Sequence, residues 1–278
     1  MNPIIPFKAN ENIKILIDDQ LYNRDEAKVS VFDSLVQGGD GVWEGLRVYN
    51  GRIFNFDQHI DRAELRNQLK GKTVLELGPG DSIATAVIAA CHGASAILID
   101  SGDYAVQDVG LYQNFANRLK NQGLDATDLD LSGAESREDV LAICGAKYLT
   151  DGLSSLQTII DGSVDLIFSQ AVLEHVRHHE FLETMRECHR ILRTDAAASH
   201  RVDLKDHLGG GLNNLRFSES VWESDFFVRS GFYTNRIRFS EMIAMFVQAG
   251  FNIESMNADR GYLSPINRKS LSSDFALV

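Results

Sequence analysis

The stretch VLELGPGDS at 74–82 runs an apolar segment into Glu76, Gly78 and Gly80. Glycine lets a backbone turn tightly and bring its N–H groups against a ligand with no Cβ in the way. A second apolar run, ASAILID, ends on Asp100, 22 positions after Gly78, where doubly wound sheets hold ribose hydroxyls. Bend and acid together predict a nucleoside ligand; the competing reading is a purely structural turn. A dinucleotide suits the bend poorly. Ile83 stands where a third glycine belongs, and Asp81 lies inside the turn, where it would repel a pyrophosphate. S-adenosylmethionine suits it better, having an amine and a positive sulfonium to set beside carboxylates and no phosphate to neutralise.

Other residues could take part in chemistry at the same end of a sheet. His175, in AVLEHV, is a candidate base for a hydroxyl or amine acceptor, or else a cap for the helix just beyond it. His200, Asp203 and His207 fall within eight residues after a predicted strand, where open α/β sheets bind ligands. They read as substrate contacts or a base, or as ordinary loop polarity. Their His-x-x-Asp-x-x-x-His spacing matches no recognised metal site, and no metal is expected. His178 and His179 are expected to begin a helix in solvent. Trp222, Phe226, Phe227, Phe232 and Tyr233 stand among arginines at 216–239, as a lid or wall over the pocket or as core packing.

The elements that must hold these groups follow from periodicity. From about residue 72 the chain alternates strand-like TVLELG, ASAILID, AKYLT, SVDLIFS and SHRVDL with helix-like SIATAVIAAC, a polar segment at 108–122 and EFLETMRECHRIL. SEMIAMFVQAG predicts a last amphipathic helix closed by Gly250, and FNIESMNA a late strand. Such alternation predicts an α/β fold: a Rossmann-like, doubly wound, mostly parallel sheet with helices on both faces. The first sixty-odd residues read as β-rich. KILI and KVSVF are strand-like, and Asn50-Gly51 between two alternating runs signals a hairpin. A helix opening at Asp57 and stopped by Gly71 joins the two parts. The expected division is 1–66 and 67–278.

Composition narrows the function class. With 278 residues, 44% hydrophobic and 24% charged, the chain reads as globular rather than disordered. Its 27 Lys and Arg against 39 Asp and Glu give a net charge of −12, which opposes binding to nucleic-acid backbones or anionic lipid. Three scattered cysteines form no disulfide framework, and no stretch is long enough to span a bilayer. With neither a basic start nor an apolar leader at the amino terminus, the expected location is the cytoplasm.

On E-L-G-P-G, ILID and LIFSQAVLEHV, residues 72–260 resemble the class I S-adenosylmethionine-dependent methyltransferases. The resemblance implies that Glu76, Gly78 and Gly80 line the methionine end of the cofactor. It sets Asp100 at the ribose, Asp151 with Gly152 at the adenine edge, and Gln170 and Ala171 beside the transferred methyl. It implies methyl transfer to a small-molecule or glycan-type acceptor, with a non-catalytic cofactor-binding module as the alternative. The family's Lys-Pro-Gly-Gly turn is replaced here by RTDAAAS, so that turn is expected to be reshaped. Residues 13–65, through AKVSVFD, GDGVWEGLR-Y-NGRIF and H-x-x-R, resemble the amino-terminal part of class IV pyridoxal-phosphate-dependent aminotransferases. There the arginine at the position of Arg62 helps hold the cofactor phosphate. The cofactor-bearing lysine belongs to a part of that fold for which this sequence has already changed pattern. Aminotransferase chemistry is therefore the remote reading, and an accessory unit or a homodimer contact through this segment the nearer one.

Overall fold

The computed structural model describes residues 14–17, 20–23, 48–49, 52–53, 69–121, 129–209, 212–258 and 270–275. The chain divides into two compact units, Met1–His59 and Ile60–Val278. In the first, β1 (Lys14–Ile17) pairs antiparallel with β2 (Gln20–Asn23), and β3 (Val48–Tyr49) with β4 (Arg52–Ile53). KILI is thus a strand, as its alternation predicts. Tyr49 faces Arg52, so two residues, Asn50 and Gly51, connect β3 to β4. Their turn, the KVSVF strand and most of the linker helix lie outside the described residues.

The second unit holds five strands: β5 (Thr73–Leu77), β6 (Ser95–Ile99), β7 (Lys147–Leu149), β8 (Val164–Gln170) and β9 (Leu192–Arg201). They pair in the order β7-β6-β5-β8-β9, and every pairing is parallel. The connecting helices are α1 (Ala84–Cys91), α2 (Val109–Asn121), α3 (Arg137–Ile143), α4 (Gly152–Gln157) and α5 (His178–Ile191). Short helices α6 (Glu219–Trp222) and α7 (Asp225–Val228) precede α8 (Phe239–Gln248).

Aliphatic runs become central strands because both faces are covered. Val74 of β5 joins an apolar cluster with Val87 of α1, Tyr112 of α2 and Val140 of α3. Its neighbours Leu75 and Leu77 point the other way, to Leu156 of α4, Phe181 and Met185 of α5, and Met242 of α8. Helix α5 buries Phe181, Thr184, Met185, Cys188 and Ile191, one stripe at helical spacing. The sheet is therefore doubly wound, and strand order reverses beside β5, which brings the ends of β5, β6 and β8 to one crevice.

Three sequence expectations change. Helices α3 and α4 were not expected; α3 starts with a Ser136–Asp139 capping box, a signal that composition masks in a seven-residue element. The last parallel strand is not confined to 199–204: α5 passes directly into β9 at Leu192. Between Val164 and Leu166 of β8, β9 advances from Leu192 to Ala197. Residues 193–196 of RTDAAAS are absorbed in that register shift, in place of a glycine turn, and Ala197, Ala198 and Ser199 pair with Leu166, Ile167 and Phe168. Finally, residues 251–258 form no strand. Ile253 and Met256 are exposed, because alternation supplies a face but no partner strand to cover it.

Candidate functional site

β5 ends at Leu77 and the backbone turns through Gly78 (φ +68°) and Gly80 (φ +65°). Both lie in the left-handed region that costs other residues roughly 1–2 kcal/mol. The two glycines serve different needs. A Cβ on Gly78 would come within 2.4 Å of Val172, in the loop after β8, whereas one on Gly80 would meet nothing within 4 Å. Gly78 is therefore forced by a close approach inside the protein, and Gly80 leaves open space.

Asp100, following β6, closes the bend. Its Oδ2 accepts the Gly80 N–H at 3.0 Å and its Oδ1 the Ser101 N–H at 2.7 Å. Its carbonyl accepts the Gly152 N–H at 2.8 Å, which draws in the start of α4. Asp151 stands exposed at that start, its N–H donated to Ser155 Oγ at 3.0 Å. Burial pushes the Glu76 carboxyl up, against a hydrogen bond from Thr85, and repulsion from Asp100 adds to the rise. Burial also raises Asp100, although its backbone hydrogen bonds pull it down. The structure thus brings Glu76, Gly80, Asp100 and Gly152 to one end of the sheet. Gln170 is exposed at the end of β8 and Ala171 follows with φ +53°, its N–H donated to Arg201 O at 2.8 Å.

Next in the chain, His175 Nδ1 lies 2.7 Å from the Tyr233 carbonyl oxygen. A carbonyl only accepts, so Nδ1 carries the proton of that bond and Nε2 of the neutral ring keeps its lone pair. The His175 ring centre is 5.2 Å from that of His207, whose Nε2 is 3.7 Å from Asp203 Oδ2. Glu174 ties the group together, accepting the Asp203 N–H at 3.2 Å through Oε1 and the Asn235 N–H at 2.7 Å through its carbonyl. Asn235 in turn donates its Nδ2 to the Leu173 and Val176 carbonyls. Sequence reasoning missed both residues. Glu174 stood in the LEHV loop already singled out; nothing in sequence marks Asn235, which lies some sixty residues away.

A family model described as a methyltransferase domain matches residues 49–256. The chain belongs to the methyltransferase domain family. Among solved structures, this methyltransferase domain is similar to phosphoethanolamine N-methyltransferase 2 of Haemonchus contortus. Identity is 14% and the TM-score 0.39, over 71% of this chain and 37% of that one. It is also similar to the bifunctional kinase-methyltransferase WbdD, at 14% identity and a TM-score of 0.28, over 56% of this chain and 28% of that one. The amino-terminal segment is similar to other proteins. It is 52% identical over 60 residues to branched-chain-amino-acid aminotransferase-like protein 1 of Arabidopsis thaliana. With D-alanine aminotransferase of Listeria innocua it shares 48% over 50 residues. The chain spans only 11% and 17% of the length of these two relatives.

In this methyltransferase domain His200 does not join the His175 group. It lies on β9 with Nδ1 2.8 Å from Ser169 Oγ, its ring centre is 5.6 Å from that of Phe246, and its Nε2 is buried without a partner. Burial lowers this ring to about 4, against roughly 6.5 in an unfolded chain. Below about pH 6.5 the unfolded chain takes up a proton that the folded chain refuses. This residue's stabilising contribution is therefore whole above that pH and shrinks down to about pH 4. We expect His200→Gln to flatten that decline: between about pH 7 and about pH 5 the denaturant midpoint should fall further in the wild type than in the variant. Equal falls would contradict it.

The aromatic segment packs instead of opening as a wall. Trp222 is fully buried, stacked with Phe217 and Tyr233, and donates its Nε1 to Thr234 O at 2.7 Å. Only Phe226 of that group stands far out, at 78% exposure. His178 begins α5 as expected, with its two ring nitrogens each 3.5 Å from a carboxylate, Glu219 and Glu241. Among the described residues no helix is long and apolar enough to cross a membrane.

Proposed function

We propose that the chain transfers a methyl group from S-adenosylmethionine to a small-molecule or glycan-type acceptor. The observation that carries this reading is the Asp100 carboxylate, held at the Gly80 bend by two backbone N–H groups. Held so, its remaining lone pairs suit a ribose diol. Glu76, raised by burial and by repulsion from Asp100, favours a cation beside it, as the donor's amine or sulfonium supplies. In this reading Gly80 leaves room for the amino-acid end, Asp151 and Gly152 would border the base, and Gln170 and Ala171 would flank the transferred group. S-adenosylmethionine, when bound, supplies an electrophilic methyl carbon on positive sulfur.

For such a displacement the protein contributes alignment and exclusion of water. His175, fixed by the Tyr233 carbonyl, offers Nε2 to take a proton from an acceptor hydroxyl or ammonium. The proton stays on His175 as an imidazolium; His207 stands beside that ring, with the Asp203 carboxylate next to it to offset the charge gained. In the full chain, His175→Asn should lower kcat by about 100-fold and leave S-adenosylhomocysteine affinity unchanged. A loss confined to KM would assign the ring to substrate binding instead. The reading itself is tested by incubating the full chain with methyl-labelled donor and a metabolite extract. Label in a small-molecule or glycan fraction supports transfer, and its absence across extracts, with donor still bound, supports a binding module. The amino-terminal similarity covers 60 residues of a much longer aminotransferase relative, and no pyridoxal chemistry is proposed from it.

A further inference from the structure

Every residue from Leu173 to Val176 makes a hydrogen bond to one short segment, 233–235. The Leu173 and Val176 carbonyls accept from the Asn235 side-chain amide at 2.8 and 2.9 Å. The Glu174 carbonyl accepts the Asn235 backbone N–H at 2.7 Å, and His175 Nδ1 donates to the Tyr233 carbonyl at 2.7 Å. Asn235 is 1% exposed, and its Oδ1 accepts the Ile237 N–H at 3.1 Å. That bond settles which end of the amide is oxygen, so both side-chain N–H groups point at the loop. A carboxylate of the same shape would set lone pairs against two carbonyls.

Residues 171–177 and 233–238 both lie outside helices and strands, so their backbone groups need partners that no ladder supplies. The second segment is anchored from behind. Trp222 Nε1 donates to the Thr234 carbonyl, and Arg236 Nη1 donates to the Asn214 and Phe217 carbonyls. Asn235 carries that fixed position across to the loop. An imidazole free in water favours the proton on Nε2, which leaves no lone pair at that nitrogen. Here the Tyr233 carbonyl calls for the proton on Nδ1, and it does so only while loop and segment stay in register. Asn235, two residues from Tyr233, holds the register without touching the ring.

We propose that Asn235 is a positioning residue of the site: by bonding the backbone on either side of His175 it fixes that ring as the Nδ1–H tautomer and leaves Nε2 as the base. The use made of Nε2 rests on the methyltransferase reading, whereas the tautomer stands apart from it.

The test reads the ring directly, by long-range proton–nitrogen NMR of the full chain at about pH 8, where histidine rings in general are neutral. The His175 signals are assigned by their absence from His175→Asn. The wild type should show Nδ1 protonated and Nε2 bare. Asn235→Ala should move the ring mostly to Nε2–H and slow label transfer from methyl-labelled donor about tenfold, with S-adenosylhomocysteine affinity unchanged. Val140→Ala, in the apolar cluster on the opposite face of the sheet, also destabilises the fold but should keep the wild-type tautomer, which separates positioning from stability. Should Asn235→Ala fail to fold, Asn235→Ser, which keeps one hydroxyl donor, should show the same change in part. A wild-type ring protonated on Nε2, an Nδ1–H signal that survives both substitutions, or one lost equally in Val140→Ala would overturn the proposal. An Asn235-dependent tautomer in a chain that binds no S-adenosylhomocysteine would instead sink the donor reading while the positioning role stood.

Discussion

Asp100→Ala should weaken S-adenosylhomocysteine binding by about 100-fold, the weight of one or two charge-assisted hydrogen bonds. The carboxylate does two things at once. In the proposed reading it accepts from the donor's ribose, and it holds the Gly80 and Ser101 N–H groups in place. Removing it deletes the diol's partner and frees the bend that shapes the opposite wall. Asn in its place keeps one oxygen acceptor for two backbone donors, so Asp100→Asn should fall between alanine and wild type. Calorimetric titration of the three proteins checks the order. Alanine replacement at Asp195, exposed on β9, is the control and should change nothing. An Asp100→Ala protein that binds as tightly as the wild type would move the ligand elsewhere.

Gly78→Ala should destabilise the fold by about 3 kcal/mol, from roughly 1–2 kcal/mol of left-handed backbone strain and roughly 1–3 kcal/mol of overlap. The overlap is specific. The new Cβ would fall 2.4 Å from Cγ2, 2.7 Å from Cγ1 and 3.1 Å from Cβ of Val172, and a β-branched side chain has little rotamer freedom with which to withdraw. Adding Val172→Ala should recover the overlap part and leave the backbone part. Gly80→Ala meets no atom and should show the backbone part alone. Denaturant unfolding of the three variants and the wild type measures these differences, and a Gly78→Ala protein no less stable than Gly80→Ala would contradict the geometry. The test also reports on function, because Val172 belongs to the loop that carries Glu174 and His175.

Much of the fold was legible because its strands are buried on both faces. VLEL, AILI and DLIF are aliphatic runs that only a covered parallel sheet accommodates, and the structure pairs all three side by side. The bend and the acid stand out by their separation, but the hydrogen bond that joins Gly80 to Asp100 is seen only in the structure. What sequence did not show has a common cause: it depends on where distant segments meet. The length of β9 is set by a bulge against β8, and no local pattern encodes that. The Glu174–Asp203–Asn235 arrangement joins three loops. Trp222 and its neighbours could be read as wall or core, and the buried Trp222 Nε1 bond to Thr234 decides for packing. His200 was drawn toward the site by proximity in sequence to Asp203. Strand alternation instead turns it toward Phe246, with Ser169 its partner across β8 and β9.

In the proposed function, the bend at Gly78 and Gly80, closed by Asp100, holds a sulfonium nucleoside donor. The most direct measurement is calorimetry of the full chain with S-adenosylhomocysteine and, separately, with NAD. The account predicts a saturable heat for S-adenosylhomocysteine at one site per chain and none for NAD, whose pyrophosphate Asp81 and the absence of a third glycine disfavour. A folded chain that binds NAD and ignores S-adenosylhomocysteine would contradict it.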